Sequence, residues 1–211
     1  QIDTLKGETL PAYKTRENWR VWEHEVLGTP IIVFNPHTWT VRMPVQMNML
    51  ATKMTDDQGN EIPCQIVRGD QTNGTDNYHT AFLAEVEPLG YKVYRVFVEK
   101  EGEASFEKKL SCIDHVLEND CIRVEFSKTT GDICRFYDKQ TGTDIINREC
   151  RAVLLDETAD DTWAHDKVYL GEFAGEFGNP EFSVIEDGLI RTTLRVKTSF
   201  QDSVLQRDYT I

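Results

Sequence analysis

The sequence lacks the features that define membrane proteins, nucleic-acid-binding proteins and disulfide-rich domains. Its apolar runs cover only a few residues, as at 31–34, which is too short for a membrane-spanning helix. Lysine and arginine number 23 against 36 aspartates and glutamates, and the net charge of -13 disfavours nucleic acid and anionic membranes as partners. The five cysteines form no CxxC pair. We therefore expect neither a disulfide framework nor a zinc knuckle, and a reducing, cytoplasmic compartment.

Known catalytic motifs are missing as well. The sequence contains no GxSxG, no P-loop, no HExxH and no GxGxxG. Its five histidines are scattered, and none stands two or four residues from another, which is the spacing of a local metal chelate. The residue pattern therefore predicts no catalytic residue and no metal site in this chain.

The apolar pattern of the chain favours strands after residue 28. A length of 211 residues, 39% of them hydrophobic, is enough for one large domain or two small ones. Apolar and polar residues alternate from Val41 to Met49, which predicts a half-buried strand, and Pro44 within it favours an edge position. Short apolar runs between close turn signals at 129–132 and 138–142 predict a meander.

The predicted class is accordingly all-β, with two consecutive β units. The charged stretch 99–107 has no apolar period and is interpreted as a linker. Before residue 28, the spacing of Trp19, Trp22 and Val26 predicts a short helical face. The alternative is an irregular segment that lies on a neighbouring domain.

One acidic, aromatic segment is the candidate binding site. Residues 156–180 are predicted to form a long loop, which in compact domains is usually functional or interfacial. Within it, Asp161, Trp163 and His165 combine a carboxylate, an indole and an imidazole, the groups found in sugar sites. The alternative interpretation is a solvated acidic loop whose Trp163 packs against a neighbouring domain. Both interpretations stay open here, because one loop cannot show that groups converge in space.

Several motifs in order resemble one family of enzymes. Residues 117–126 read LENDCIRVEF, residues 130–133 read TGDI, and residues 136–142 read FYDKQTG. Upstream stand VFNPHTW at 33–39 and PLGYKVY at 88–94; downstream stand DTW at 161–163 and GLIR at 188–191. This series resembles the β-region of the retaining α-mannosidases of glycoside hydrolase family 38.

The resemblance implies an architecture. Such enzymes have a zinc-binding catalytic barrel, a three-helix bundle, a small β-sandwich and a large β-supersandwich that resembles the galactose-mutarotase-like fold. It implies that residues 1–27 connect from the bundle, that 28–115 are the small sandwich, and that 116–211 are the incomplete start of the supersandwich. The chain starts without Met and ends in a strand-like run, so we expect a piece of a longer polypeptide.

No position of this sequence matches the family's zinc-ligand motifs or its aspartate nucleophile. Zinc is therefore expected in a catalytic domain absent from this chain, whose partners would be that barrel, the bundle and an oligosaccharide substrate. Two alternatives remain open: a stand-alone carbohydrate-binding β-module, and an enzyme of the sugar-epimerase type. An epimerase needs a histidine and a carboxylate converging on one concave sheet, and the sequence shows no such pair.

An incomplete supersandwich is expected to leave a sheet edge open to pairing with another chain. We therefore predict a homo-oligomer formed by strand pairing or strand exchange, measurable by gel filtration with light scattering. A strictly monomeric profile at all concentrations would contradict this expectation.

Overall fold

A computed structural model of the chain describes residues 27–69, 78–156 and 171–211. The chain divides into two compact units, residues 1–107 and 108–211. The described ranges contain strands and turns with no helix, which confirms the all-β class. None of these ranges therefore provides a helix long and apolar enough to cross a membrane. The predicted connecting segment lies mostly outside the described residues, and the predicted domain limits stay predictions.

The described residues of the first unit form two antiparallel sheets. Its described strands are β1 (Thr29–Phe34), β2 (Val41–Met47), β3 (Lys53–Thr55), β4 (Glu61–Ile62), β5 (Cys64–Arg68), β6 (Tyr78–Val86) and β7 (Tyr91–Phe97). One sheet has the order β1-β7-β3-β4 and the other β2-β6-β5.

The two sheets supply one hydrophobic core, as in a β-sandwich. Met54, Tyr94 and Val96 from the first sheet pack in one cluster with Phe82 and other residues of β6. Strand side chains alternate between faces, so every second residue of β6 and β7 points into this core.

The predicted strand around Pro44 is confirmed as β2. It is an edge strand in the described sheet, since it pairs only with β6, as the proline suggested. Met43 departs from the predicted apolar face, because its side chain is 54% exposed.

A buried amide organises the turn after β1. Asn35 is 4% exposed, and its side-chain nitrogen donates to the carbonyl oxygens of Trp39 (2.8 Å), Val86 (3.0 Å) and Glu87 (3.1 Å). Its side-chain oxygen accepts from the backbone N–H of His37 at 3.0 Å. One asparagine therefore satisfies the polar backbone of two adjoining turns, which buried carbonyl groups require.

The described residues of the second unit form three antiparallel sheets. Its described strands are β8 (Ser111–Ile113), β9 (Val116–Glu118), β10 (Ile122–Phe126), β11 (Ile133–Asp138), β12 (Thr143–Asp144), β13 (Val153–Asp156), β14 (Glu172–Glu176), β15 (Gly178–Asp187), β16 (Thr192–Phe200) and β17 (Ser203–Thr210). The orders are β12-β11-β10-β9-β8, β13-β14 and β15-β16-β17.

The core of the second unit lies between its two larger sheets. Leu117, Val124 and Phe126 of the five-stranded sheet pack in one cluster with Leu194 and Val196 of β16. The predicted meander is confirmed, with β10 and β11 paired antiparallel around the turn at 129–132.

The predicted loop over 156–180 is wrong in its last part, where β14 and the start of β15 form. Glycines and a largely exposed hairpin hid the two-residue period that would have revealed these strands.

Replacing Asn35 with Asp tests the role of the buried amide. A carboxylate cannot donate to the carbonyls of Trp39, Val86 and Glu87, so we expect a loss of about 2–4 kcal/mol in the free energy of unfolding. Urea titration followed by circular dichroism measures it. The matched control Asn48→Asp, at an exposed position, should change stability by less than about 0.5 kcal/mol. Equal effects for both variants would contradict this role.

Candidate functional site

The predicted site residues Asp161, Trp163 and His165 lie outside the described residues, so their role stays a prediction. The structure does describe the two strands that flank them. β13 ends at Asp156 and β14 begins at Glu172, and these two residues are partners in an antiparallel ladder. Both ends of the connecting segment therefore meet at one end of a hairpin, which we call the stem (residues 151–156 and 171–176).

Close packing against β16 holds the stem in place. A Cβ atom added at Gly175 would lie 2.5 Å from Cε2 of Phe200, so only glycine permits this approach. The rings of Phe177 and Phe200 meet edge to face with centroids 6.3 Å apart. The other surface of the stem is apolar and open, since Leu155 and its cross-strand partner Phe173 are 41% and 64% exposed.

A buried ion cluster joins the base of the stem to the sheets. Asp132 is 1% exposed and accepts from Nη1 of Arg207 at 2.5 Å and from the backbone N–H of Ala152 at 3.3 Å. Nε of Arg151 lies 3.6 Å from the same carboxylate, and Arg151 also forms a close ion pair with Glu176. Two cations therefore compensate one deeply buried anion, as burial of charge demands.

The turn that presents Asp132 depends on the preceding glycine. Gly131 has φ of 75°, and a Cβ there would approach Cβ of Pro180 and Cγ1 of Val196 to 2.8 Å each. Both the backbone conformation and the space therefore exclude a side chain at this position. The TGDI motif encodes this glycine and the buried carboxylate that follows it.

Tyr209 lies beside the cluster, with the guanidinium of Arg207 over its ring at 5.9 Å from the centroid. Burial, the largest cause, raises the pKa of its phenol, while nearby Arg207 lowers it and Asp132 raises it. Its ring packs on Phe126 with centroids 4.7 Å apart. Its main contribution is therefore packing between the two larger sheets.

An open depression adjoins the cluster. Its volume is about 800 Å³, and residues 144–151 line it. It shares Glu149 and Arg151 with the ion network, where Oγ1 of Thr130 donates to Glu149. Its described lining is one continuous stretch of chain, whereas a small-molecule site usually combines polar groups from several elements.

A ladder of charges covers the outer face of the five-stranded sheet. Arg123 binds Glu118 at 2.8 Å and Glu125 at 2.9 Å, and Arg135 continues the ladder from Glu125 to Asp144. A hydrogen bond from Lys139 is the main cause that lowers the pKa of Glu118. Arg123 similarly lowers the pKa of Glu125. Such carboxylates stay ionised at neutral pH, so they cannot act as general acids.

The described residues also provide no metal-binding group. In the ranges 27–69, 78–156 and 171–211, no three His, Cys, Asp or Glu side chains are grouped so that they could hold an ion.

Comparison with known sequences identifies the second unit. Residues 117–211 match the profile of the glycosyl hydrolases family 38 C-terminal domain. This part of the chain is similar to that family's C-terminal domain. The chain is also 29% identical over 198 residues to the lysosomal alpha-mannosidase of Dictyostelium discoideum, an alignment that covers 80% of the chain and 19% of the relative. The chain is thus related to glycosidases, and it spans about a fifth of that relative's length.

The structure shows what the polar residues of the family 38 motifs bind. In the LEN motif, the side-chain oxygen of Asn119 accepts from the backbone N–H groups of Cys121 and Ile122 at 2.8 Å each. In the YDKxTG motif, Asp138 accepts from the N–H of Gln140 at 2.8 Å and from the hydroxyl of Thr141 at 2.9 Å. These motifs therefore encode turns rather than chemistry.

The sequence reasoning missed the ion cluster. Asp132 after a Thr-Gly turn was a signal for a structural carboxylate, but its main partner Arg207 stands 75 positions further along the chain. A pairing at that separation is decided by strand order and cannot be inferred from local spacing.

Replacing Arg207 with Met tests the cluster. It leaves Asp132 buried with incomplete compensation, so we expect a loss of about 3 kcal/mol in the free energy of unfolding, measured by urea titration. The control Arg195→Met removes a surface ion pair with Asp208 of 2.7 Å, which should cost about 1 kcal/mol or less. A loss no larger than that of the control would show that Asp132 does not depend on Arg207.

Proposed function

We propose that this chain is the non-catalytic β-region of a zinc-dependent retaining α-mannosidase, which removes terminal α-mannosyl residues from oligosaccharides. The observation that carries the proposal is the family 38 match over residues 117–211. The similarity to a lysosomal alpha-mannosidase extends over most of the chain, which supports extending the proposal to the first unit.

The charges of the described residues favour a structural role for this chain over a catalytic one. Retaining glycosidases use one carboxylate as nucleophile and a second carboxyl group as acid and base. The acid needs a raised pKa. Among the described carboxyl groups, Asp56, Glu61, Glu118, Glu125 and Asp138 have pKa values shifted downward.

The implied zinc does not fit the described residues, because no suitable group of ligands is present among them. The proposal therefore assigns zinc to a catalytic barrel outside this sequence, and no step of the reaction is assigned to this chain.

The role proposed for this chain is to contact the catalytic barrel and the helical bundle of the same enzyme. The open apolar side of the stem, with Leu155 and Phe173, would suit such a contact. Asp161, Trp163 and His165, on the segment that the stem holds, would then reach the rim of the site.

A cytoplasmic location is also proposed for the enzyme. All five cysteines are free thiols, and three of them are exposed. Exposed thiols persist in reducing compartments, which supports this location. The Dictyostelium relative is named as lysosomal, so the proposed compartment differs from the one in that name.

An assay with 4-nitrophenyl α-D-mannopyranoside tests the assignment of chemistry. We expect no turnover above the buffer blank, with added zinc or with EDTA, because the chain would lack the nucleophile and the zinc site. Zinc-dependent turnover by the purified chain would contradict the non-catalytic role.

The genomic sequence upstream of the Gln1 codon tests whether the parent protein is an α-mannosidase. The proposal expects a continuous reading frame with a His-x-Asp zinc motif. An independent gene without that motif would contradict an α-mannosidase parent and favour a stand-alone module.

A further inference from the structure

The first unit carries a group of exposed rings that the proposed function does not use. Phe34, Trp39 and Tyr91 are 70%, 60% and 51% exposed, and His37 is exposed beside them. We call these four residues the aromatic platform. Single exposed apolar residues are common on protein surfaces, whereas a cluster of large exposed rings is unusual.

Two adjoining turns carry the members of the platform. Phe34 and Tyr91 are cross-strand partners in β1 and β7, with ring centroids 5.9 Å apart. The imidazole of His37 stacks on the indole of Trp39 with centroids 4.6 Å apart and an interplanar angle of 25°. The two turns are joined by a hydrogen bond from the N–H of Leu89 to the carbonyl of His37 at 2.9 Å.

The platform is held in position before any ligand binds. Asn35 lies between its members in the chain, and its buried side chain fixes both turns through the carbonyls of Trp39 and Glu87. The stacked His37 restrains the indole of Trp39 from one side. Rings that are ordered in advance lose little conformational entropy on binding.

The same two turns also carry exposed polar groups. The hydroxyl of Thr40, the residue after Trp39, donates to the carboxylate of Glu87 at 2.8 Å, and both side chains are exposed. This carboxylate has further lone pairs that can accept from ligand hydroxyl groups. The strongly acidic chain, with net charge -13, disfavours an anionic ligand at this place.

We propose that the aromatic platform binds a pyranose unit of a neutral oligosaccharide. The apolar C–H face of the sugar would pack on the open face of Trp39 and towards Tyr91, and sugar hydroxyls would donate to Glu87. Neutral sugars combine an apolar face with a ring of hydroxyls, which matches rings beside a carboxylate better than a wholly apolar protein surface does. The inference depends on the proposed function only for the choice of mannosides as probes.

Titration of the full 211-residue chain with an α-linked mannotriose, followed by saturation-transfer NMR, tests the proposal. We expect a Kd of about 1 mM, the weak end of specific affinities. Trp39→Ala should weaken binding about tenfold and Glu87→Gln by a few fold. Trp39 contributes only its backbone carbonyl to the Asn35 network, so the variant should keep its circular dichroism spectrum and Tm.

Tyr78→Ala is the matched control, since Tyr78 is 59% exposed in the same unit and is not part of the platform. Its affinity should equal that of the unchanged chain. Absence of saturation transfer at about 20 mM sugar, well above the expected Kd, would overturn the proposal. So would a Trp39→Ala variant that binds as well as the unchanged chain.

Two further results would reassign the surface and overturn the proposal. Binding lost in Trp163→Ala but kept in Trp39→Ala would place the sugar at the segment between β13 and β14. Self-association abolished by Trp39→Ala, with no sugar binding, would show that the rings cover a protein surface. Neither result bears on whether the chain hydrolyses an aryl mannoside, so failure here is distinguishable from failure of the proposed function.

Discussion

The carboxylate of Asp132, with 1% of the residue exposed, is the constraint around which the second unit is built. A charge at that depth is tolerated only where cations and N–H donors surround it. The donors come from separate places: Arg207 from β17, and Arg151 and the N–H of Ala152 from the base of the stem. The β10–β11 turn, the last strand and the stem are therefore fixed relative to one another, and the ends of the segment 157–170 with them.

The first unit uses a neutral side chain for a similar purpose. Asn35 connects the turn after β1 with the turn between β6 and β7 through three carbonyl oxygens. An amide needs no counter-ion, so these turns are satisfied without a cation. The exposed rings of the aromatic platform lie on the strand ends and turns that this buried amide connects.

Among the described buried side chains, Oγ1 of Thr198 and Nε of Arg207 lack a hydrogen-bond partner, and the other buried polar atoms are paired. Its ion pairs join carboxylates to arginines and lysines across strands, as between Glu118 and Arg123. Such arrangements resist proton transfer, because the charged state of each partner is stabilised by the other. This chemistry agrees with the supporting role proposed for the chain in a glycosidase-related protein.

The sequence by itself determined the all-β class, most strands and the turns, because a two-residue apolar period and turn-forming residues act locally. The hairpin of β10 and β11 around Gly131 is an example. It did not determine β14 and the start of β15, where glycines and a proline obscure that period. Only the tertiary structure decided which side chains meet: Arg207 with Asp132 across 75 positions, and Phe34 with Tyr91 across β1 and β7. Such contacts depend on strand order and register, which are set by burial of the whole core and not by neighbouring residues.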